Sequence, residues 1–345
     1  MMMLTNVICP PDEPHPHRNR RVEELEKTTL FDVDDTPKIQ NSLIVKKDRG
    51  VSVGVVDPFS TGAIIASLLY DQGYKVVAIY SANLEQLGNL QNLVPLGLKL
   101  TFDAVLGFSN VEDMLKSLKG LAAPIVAILA GAETGVELAD QLSERMGLIT
   151  NGTALSEARR NKFVMGETIR SAGIRAVKQL RATTWGEIDV WIKEWNPVPF
   201  KVIVKPMDSA GSDDVTLCHT FDEVHKAFDH IMGKVNGLGL VNKAVLVQEY
   251  LEGQEYVVDM VSREGEHKVA AIWAYDRRAA NGAHFVCFGQ RLLTADDPLC
   301  PELVAYMKKV VTALGIRYVH LSVCLSVCHG FLAIMMTALC RAVRI

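Results

Sequence analysis

Short apolar segments alternate with helical segments between Val51 and Met146, and this alternation constrains the fold more than any other feature. The apolar segments read VSVGVV, KVVAIY, FDAVLGF and PIVAILAG, and small and apolar residues from Gly62 to Tyr70 are typical of a helix between the first two. Strands separated by helices at this spacing indicate βαβ units. The sequence therefore predicts an α/β fold with a parallel sheet in its first half.

Two turns follow strands of this predicted sheet. PFSTG at 58–62 comes after the first strand, and GAETG at 131–135 comes after the fourth. Open α/β sheets bind ligands at the carboxyl ends of their strands, so both turns are candidates for ligand contact. Glycines that only permit a tight turn would give the same pattern, and neither turn is a GxGxxG fingerprint.

Length, charge and cysteine usage limit the class of protein. The 345 residues suggest two domains, since a domain typically has about 150 residues. A net charge of −4 offers no excess of basic residues to neutralise phosphates, so nucleic acid is not an expected partner. The seven cysteines are odd in number and scattered, which favours reduced thiols in a cytoplasmic protein.

The rest of the chain divides into three parts. Residues 1–48 are expected to be a disordered leader, because Pro, His and acidic residues interrupt every apolar run. From Asn151 to about residue 318 the pattern changes to α+β with hairpins, which predicts a second domain. Ser156 is the expected N-cap of the first helix there. Residues 319–345 form a divergent apolar tail.

A lysine at the end of an apolar strand is the first candidate for binding chemistry. Lys205 closes VIVKP and is followed by the small, flexible segment SAGSDD at 209–214. A lysine on a strand supplies a fixed charge, and the N–H groups of a Ser/Gly loop can close over a polyphosphate. An exposed lysine at the edge of a sheet would look the same, and Lys162 in NKFVM could be an ordinary lysine on an exposed helix.

The segment VLVQEYLEGQEYVVDM carries polar residues that suit a nucleoside. An adenine needs donors and acceptors from an extended segment, and a ribose needs a carboxylate, for which Glu255 is the candidate. A half-exposed hairpin with polar residues on its wet face is the alternative.

Five strings of this sequence, in their order along the chain, resemble the ATP-grasp ligases. They are VDPFSTG, AGAETGVELADQLSERMGL, LSEARRNKFVMGE, VIVKPMDSAGSD and VQEYLEGQEYVVDMVS. The similarity is to the branch of amino-acid and dipeptide ligases that includes carnosine synthase and the bacterial L-amino-acid ligases. It implies a Rossmann-like preATP-grasp domain at 49–150, followed by an α+β ATP-grasp domain at 151–318 that is incomplete at its C-terminus.

The resemblance also implies a reaction and a set of site residues. ATP would phosphorylate a small carboxylate, and an amine would then displace phosphate to form an amide, with ATP and Mg²⁺ bound by the protein. A homo-oligomer is left open. By matching positions, the resemblance implies that Lys162 and Lys205 contact the phosphates and that the covering loop consists of Ser209, Ala210, Gly211 and Ser212. The adenine would contact Gln248, Glu249 and the N–H of Leu251. Glu255 would bind the ribose.

The last part of the sequence departs from that family. Ligases of this kind carry metal-binding acids on late strands, whereas this sequence has no Asp or Glu after Glu302. We therefore expect the similarity to end after about Tyr318 and the Mg²⁺ site to be incomplete. Asp259 is the remaining candidate for a carboxylate ligand. A catalytically inactive ATP-binding or regulatory isoform is the alternative function. At position 214 the family favours Gly, and Asp214 would repel a triphosphate unless its side chain turns outward.

Three interpretations of the tail stay open. Cys324, Cys328 and His329 could bind a metal, although they supply only half of a zinc ligand set. The run 319–340 has no charged residue and is long enough to span a bilayer as a C-terminal anchor. The third interpretation is a truncated isoform or a gene-model artefact, whose apolar end covers the exposed edge of a sheet.

Overall fold

The computed structural model describes residues 48–82, 94–95, 98, 100–207, 209, 213–237, 240–280, 283–328, 331–334 and 339–341, and for 283–285 and 319–341 it describes the backbone alone. Its first half is the parallel sheet that the sequence predicts. The elements are β1 (Ser52–Val56), α1 (Thr61–Asp71), β2 (Lys75–Ile79), β3 (Ala104–Leu106), α2 (Val111–Lys119), β4 (Ile125–Ala130) and α3 (Val136–Arg145). The strand order is β3-β2-β1-β4. The chain thus changes sides of β1 between β3 and β4, which creates a topological switch point at the carboxyl ends of β1 and β4.

The two glycine-containing turns meet backbone to backbone at this switch point. A Cβ atom on Gly62 would lie 2.4 Å from the carbonyl oxygen of Gly131, and one on Gly131 would lie 2.5 Å from that of Asp57. No side chain fits at such distances. Close approach of the chain, and not turn geometry alone, therefore explains these glycines.

The second half contains two further sheets. Its elements are α4 (Lys162–Ser171), β5 (Gln179–Ala182), α5 (Trp185–Trp195), β6 (Val202–Pro206), β7 (Thr216–Cys218), α6 (Phe221–Ile231), β8 (Val245–Glu249), β9 (Gln254–Arg263), β10 (Glu266–Ala280), β11 (Ala283–Leu292), α7 (Cys300–Ala313), β12 (Val319–Cys328), β13 (Phe331–Ile334) and β14 (Leu339–Arg341). The first sheet has the antiparallel order β5-β8-β6-β7, and α5 and α6 pack on it. The second sheet has the order β11-β10-β9-β12-β13, with β14 paired to β12.

The start of the predicted tail is part of the last sheet. β12 runs antiparallel to β9 in unbroken register, from Val319 opposite Ser262 to Val327 opposite Gln254. In the part of the chain that the structure describes, no helix is both long and apolar enough to cross a membrane.

One core joins the first half of the chain to the last sheet. Leu142 of α3, Ile169 of α4, Met260 of β9 and Met307 of α7 are fully buried in the same apolar cluster. Burial of this extent stabilises each side chain by roughly 1.5–3 kcal/mol relative to exposure. The parallel sheet and the last antiparallel sheet are therefore packed as one body.

The first helix of the second half begins later than the sequence predicts. Its N-cap is Asn161, whose Oδ1 accepts hydrogen bonds from the N–H groups of Phe163 and Val164. Ser156, the expected N-cap, lies ahead of a short 3₁₀ turn at Glu157–Arg159, and its hydroxyl donates to Asp140. The prediction of Ser156 as the N-cap is wrong because the helix starts after that turn.

A buried arginine connects the two halves beside that turn. The side chain of Arg159 is 1% exposed, and its Nη2 lies 2.9 Å from Oδ2 of Asp140 in α3. Arg159 also donates to the carbonyl oxygens of Gly152 and, at 3.1 Å, of Leu314 after α7. One guanidinium thus satisfies acceptors from three separate segments.

We expect Arg159→Met to lower the free energy of unfolding by about 3–5 kcal/mol, because Asp140 and two carbonyl groups lose their buried partner. The measurement is urea denaturation at neutral pH. Arg145→Met is the matched control, since Arg145 pairs with Glu112 on the surface, where both side chains are at least half exposed, and such pairs contribute less than about 1 kcal/mol. Equal losses in the two variants would contradict the role of Arg159.

Candidate functional site

Lys205 is buried in the middle of a sheet. It belongs to β6, which lies between β8 and β7, and only 7% of the residue is exposed. Burial, with a smaller effect from the charge of Lys162, lowers the pKa of the Lys205 ammonium to about 7. Of the two interpretations of this lysine, the exposed edge residue is wrong, because Lys205 is buried and pairs with Leu246 of β8.

Lys162 lies close to Lys205 and holds the chain that follows β6. It is the first residue of α4, and its Nζ donates to the carbonyl oxygens of Ser209 at 2.6 Å and Met207 at 3.2 Å. Phe163, the next residue, packs against Met207 in a small buried cluster. The structure therefore brings Lys162, Lys205 and Ser209 together, as expected for a site that binds phosphates.

Ser209 is held by a carboxylate that the sequence did not single out. Its hydroxyl donates to Oδ2 of Asp213 at 2.5 Å, and the same oxygen accepts from the N–H of Gly237 at 2.7 Å. Asp213 thus ties the segment after β6 to the segment after α6. The predicted loop residues Ala210, Gly211 and Ser212 lie outside the described residues.

The side chain of Asp214 points away from the lysines. Its Oδ1 lies 3.3 Å from Nε2 of His230, near the exposed end of α6. Its backbone φ is +48°, a conformation that glycine adopts most easily. This backbone conformation accounts for the preference for Gly that the resemblance implies at position 214. The contact with His230 turns the Asp214 carboxylate outward, so the expected repulsion of a triphosphate is removed.

The side chains of Gln248 and Glu249 are engaged in joining β5 to β8. Gln248 is 4% exposed, and its Nε2 donates to Oε1 of Gln179 at 2.9 Å. Glu249 accepts through Oε1 from Arg175 and from the N–H of Lys178, both at 2.7 Å. The N–H of Glu249 is engaged as well, since it donates to the carbonyl oxygen of Lys178 at 2.9 Å.

Leu251 and Glu255 line a pocket of about 800 Å³ between the β8–β9 connection and β10. Glu255 is 8% exposed, and both of its carboxylate oxygens face Arg277. The described residues that line this pocket include Tyr275, Arg277 and Arg278 but not Lys162 or Lys205. The structure therefore groups the site residues into a lysine cluster and a pocket around Glu255.

Sequence reasoning missed the pairing of Glu255 with Arg277. The signal that could have found it is the register of the β9–β10 hairpin, in which Tyr256 lies opposite Ala274. Continuing that register brings the residues after Ala274 alongside Glu255. The alternation of residues along one strand does not contain this information, because it depends on the partner strand.

The described side chains do not provide a clear site for Mg²⁺. Among them, no group of three His, Cys, Asp or Glu residues is placed to hold a metal. Asp259, the default ligand, accepts a hydrogen bond through Oδ2 from the indole Nε1 of Trp273 at 2.8 Å. The side chains of Cys324, Cys328 and His329 lie outside the described residues.

A second buried carboxylate organises the switch point of the parallel sheet. Asp57 is fully buried at the end of β1, and its Oδ2 accepts from the hydroxyls of Ser81 and Thr134 at 2.6 and 2.5 Å. Its Oδ1 accepts from the N–H of Ser81 at 2.9 Å. The carboxylate thus fixes the segments that follow β2 and β4.

Part of the second half of the chain matches a known protein family. A family model described as an ATP-grasp domain matches residues 198–327. The chain contains an ATP-grasp domain. The match runs past Tyr318 through most of β12, and this ATP-grasp domain includes Lys205, Ser209, Leu251 and Glu255, while Lys162 precedes it.

Individual proteins are similar to a larger part of the chain. Dapdiamide A synthase from Enterobacter agglomerans is 32% identical over 264 residues, which are 76% of this chain and 61% of that protein. The L-amino acid ligase from Bacillus licheniformis superposes with a TM-score of 0.61 at 14% identity, covering 83% of this chain and 66% of that one. The D-alanine–D-alanine ligase from Bacillus anthracis, complexed with ATP, gives 0.52 at 13% identity, covering 83% and 85%. The chain thus has the ATP-grasp fold and spans about three fifths of the curated relative.

We expect the burial of Lys205 to make stability depend on pH. The unfolded chain keeps the lysine pKa near 10.5, whereas the folded pKa is about 7. Between these values the unfolded state binds more protons, so the free energy of unfolding rises as pH increases from about 7 to 9. Relative to that of Lys205→Met, the free energy of unfolding of the wild type should therefore increase as pH rises through this range. Urea denaturation of both proteins at several pH values measures the difference.

Lys201→Met is the matched control for this measurement. Lys201 precedes the same strand and pairs with Glu252 on the surface, 2.8 Å away. That pairing raises the pKa of Lys201, so it stays charged across the tested range. The control should keep the slope of the wild type, and an unchanged slope in Lys205→Met would refute the assignment.

Proposed function

We propose that this protein is an ATP-dependent carboxylate–amine ligase. A carboxylate oxygen of one substrate attacks the γ-phosphorus of ATP, and ADP leaves, which produces an acyl phosphate. The amine of the second substrate then attacks the acyl carbon, phosphate leaves, and the amine loses a proton as the amide forms. The observation that carries the proposal is the pair of neighbouring ammonium groups, Lys162 and the buried Lys205, placed against Ser209 within an ATP-grasp fold.

The two lysines would bind the phosphates and offset the charge of the transferred group. Phosphoryl transfer needs positioning and electrostatic stabilisation more than covalent help from the protein. Lys205 is already desolvated, so an arriving phosphate meets a charge that water screens little. Its lowered pKa means that binding a polyanion near neutral pH will draw a proton onto it. Ser209, Ala210, Gly211 and Ser212 would cover the phosphates.

The adenosine would lie along the β8–β9 connection. We assign the adenine amino group to Gln248 and Glu249, with the carbonyl oxygen of Glu249 as an acceptor, since the N–H of Glu249 donates to Lys178. The N–H of Leu251 would donate to the ring, and Glu255 would accept from the ribose hydroxyls. The pocket lined by Leu251 and Glu255 supports this placement.

Three related proteins support the choice of reaction class. One relative is named as a synthase of dapdiamide A, one structural neighbour as an L-amino acid ligase, and one as a D-alanine–D-alanine ligase complexed with ATP. We infer from these names a small carboxylate, such as an amino acid, as one substrate and an amine as the other. We further propose that residues 49–150 form a preATP-grasp domain and that 151–318 belong to the ATP-grasp domain, which the family match extends to residue 327. The seven scattered cysteines support a cytoplasmic location.

Mg²⁺ accompanies ATP in ATP-grasp ligases generally, but the described side chains do not fit a complete site for it. They lack a cluster of three His, Cys, Asp or Glu residues, and Asp259 is engaged with Trp273. No step is therefore assigned to the metal. The same observation favours a second candidate function, an ATP-binding regulatory protein that does not transfer phosphate.

We expect the purified protein to bind ATP, and Lys205→Ala to weaken that binding about 10- to 100-fold, because the phosphates lose a buried charged donor. Isothermal titration calorimetry of ATP measures the affinity. Lys201→Ala, which removes the exposed lysine before the same strand, should bind ATP as the wild type does. Unchanged affinity in Lys205→Ala would show that the phosphates bind elsewhere.

A second measurement separates the two candidate functions. ADP release is followed with a panel of amino acids, each as carboxylate donor, and with or without an amine acceptor. Release that requires both substrates supports the ligase. Binding of ATP without any such release across the panel supports the regulatory protein.

A further inference from the structure

Main-chain carbonyl groups hold the side chain of Lys162 beside Lys205. Its Nζ donates to the carbonyl oxygen of Ser209 at 2.6 Å and to that of Met207 at 3.2 Å. A lysine side chain is long and flexible, and the charge of Lys205 repels the Lys162 ammonium. The shorter of the two hydrogen bonds therefore makes the position of Lys162 depend on the position of Ser209.

Asp213 in turn holds Ser209. Its Oδ2 accepts from the Ser209 hydroxyl at 2.5 Å and from the N–H of Gly237 at 2.7 Å. Hydrogen bonds to a carboxylate are stronger than those to a neutral acceptor. Ser209 is also 6% exposed, so water competes little for its hydroxyl. One carboxylate oxygen thus connects Ser209 to the segment that follows α6.

Buried amide side chains stabilise the segment that carries Gly237. Asn236 is 7% exposed and Asn242 is 4% exposed, and Nδ2 of Asn236 donates to Oδ1 of Asn242 at 3.0 Å. Nδ2 of Asn242 donates to the carbonyl oxygen of Ile231, the last residue of α6, at 3.2 Å. Gly237 therefore directly follows a residue that is tied to the end of α6, which places its N–H for Asp213.

We propose that Asp213 is a positioning residue for phosphate binding and that it acts through Ser209 on Lys162. This inference rests on the proposed function, because it requires the phosphates of ATP to bind at Lys162. Asp213 keeps the Ser209 carbonyl group where it accepts from Lys162, so the ammonium loses less conformational freedom when phosphates bind. The charge of Asp213 disfavours a polyanion, so its benefit for ATP comes from its hydrogen bonds.

Two substitutions at position 213 separate the hydrogen bonds from the charge. Asp213→Asn is neutral but keeps an oxygen that can accept from Ser209 and Gly237, whereas Asp213→Ala is neutral and has no acceptor. We expect Asp213→Ala to bind ATP about tenfold more weakly than Asp213→Asn, measured by isothermal titration calorimetry at about pH 7.5. Asp213→Asn should bind ATP at least as tightly as the wild type, because it carries no charge that repels the phosphates.

The same pair of substitutions in a Lys162→Met background tests the route of the effect. Without the ammonium there is nothing for Ser209 to position, so the two double variants should bind ATP equally. Adenosine, which has no phosphates, should bind Asp213→Asn and Asp213→Ala equally. A merely structural role of Asp213 would weaken the binding of ATP and adenosine together and would persist without Lys162.

Ser209→Ala breaks the same hydrogen bond from the other side. It should lose ATP affinity with the same dependence on Lys162, which provides the readout if Asp213→Ala does not fold.

The neighbouring carboxylate supplies a matched control. Asp214 contacts His230, with 3.3 Å between Oδ1 and Nε2. Asp214→Asn removes the same charge one residue along the chain, and Asn tolerates the backbone φ of +48° at this position. Asp214→Asn should bind ATP as the wild type does.

Four results would overturn the inference. They are equal ATP affinity of the two Asp213 variants, a difference between them that persists in Lys162→Met, an equal difference for adenosine, and a tenfold loss in Asp214→Asn. Failure of the wild type to bind ATP, or unchanged ATP affinity in Lys162→Met, would instead count against the proposed function. The two failures are therefore distinguishable.

Discussion

The burial of one lysine in the central part of a sheet is the constraint on which the candidate site depends. A sheet interior is a costly place for an ammonium group, and the pKa of Lys205 falls to about 7 as a result. The charge of Lys162 nearby lowers it further. Such an arrangement destabilises the free protein and is offset when an anion arrives, because the anion restores a favourable environment for the charge. The proposed phosphate site would therefore draw its affinity from a cation, Lys205, that the fold places where water solvates it poorly.

The remaining polar groups keep the elements around those cations in place. Gln248 and Glu249 fasten β8 to β5, and Asp213 fastens Ser209. Arg159 joins acceptors of three segments at the boundary between the parallel sheet and the rest of the chain. Gln248, Glu249 and Arg159 find their partners in distant parts of the sequence. Asp213 instead holds Ser209, four residues before it, and reaches Gly237 beyond α6. Most of these polar groups are thus positioned by long-range contacts.

The sequence predicts those features that depend on local pattern. Alternation of apolar and helical segments gave the parallel sheet, and the ordered strings gave the ATP-grasp fold, which the family match confirms. Local pattern could not distinguish an exposed Lys205 from a buried one, because Leu246 of β8, which pairs with Lys205, lies far along the chain. Ser156 is not the N-cap of the helix because a short 3₁₀ turn intervenes and the helix begins after Asn161. The pairing of Arg277 with Glu255 required the register of a hairpin, which alternation along a single strand does not specify.

The hydrogen bonds of Asp213 have a mechanical consequence. One carboxylate oxygen accepts from Ser209 and from the backbone of Gly237, which belong to segments on either side of α6. Any displacement of Ser209 toward a bound molecule must either carry residue 237 along or break one of these bonds. The position of residue 237 is therefore linked, through one carboxylate, to that of Ser209, whose carbonyl oxygen accepts a hydrogen bond from Lys162.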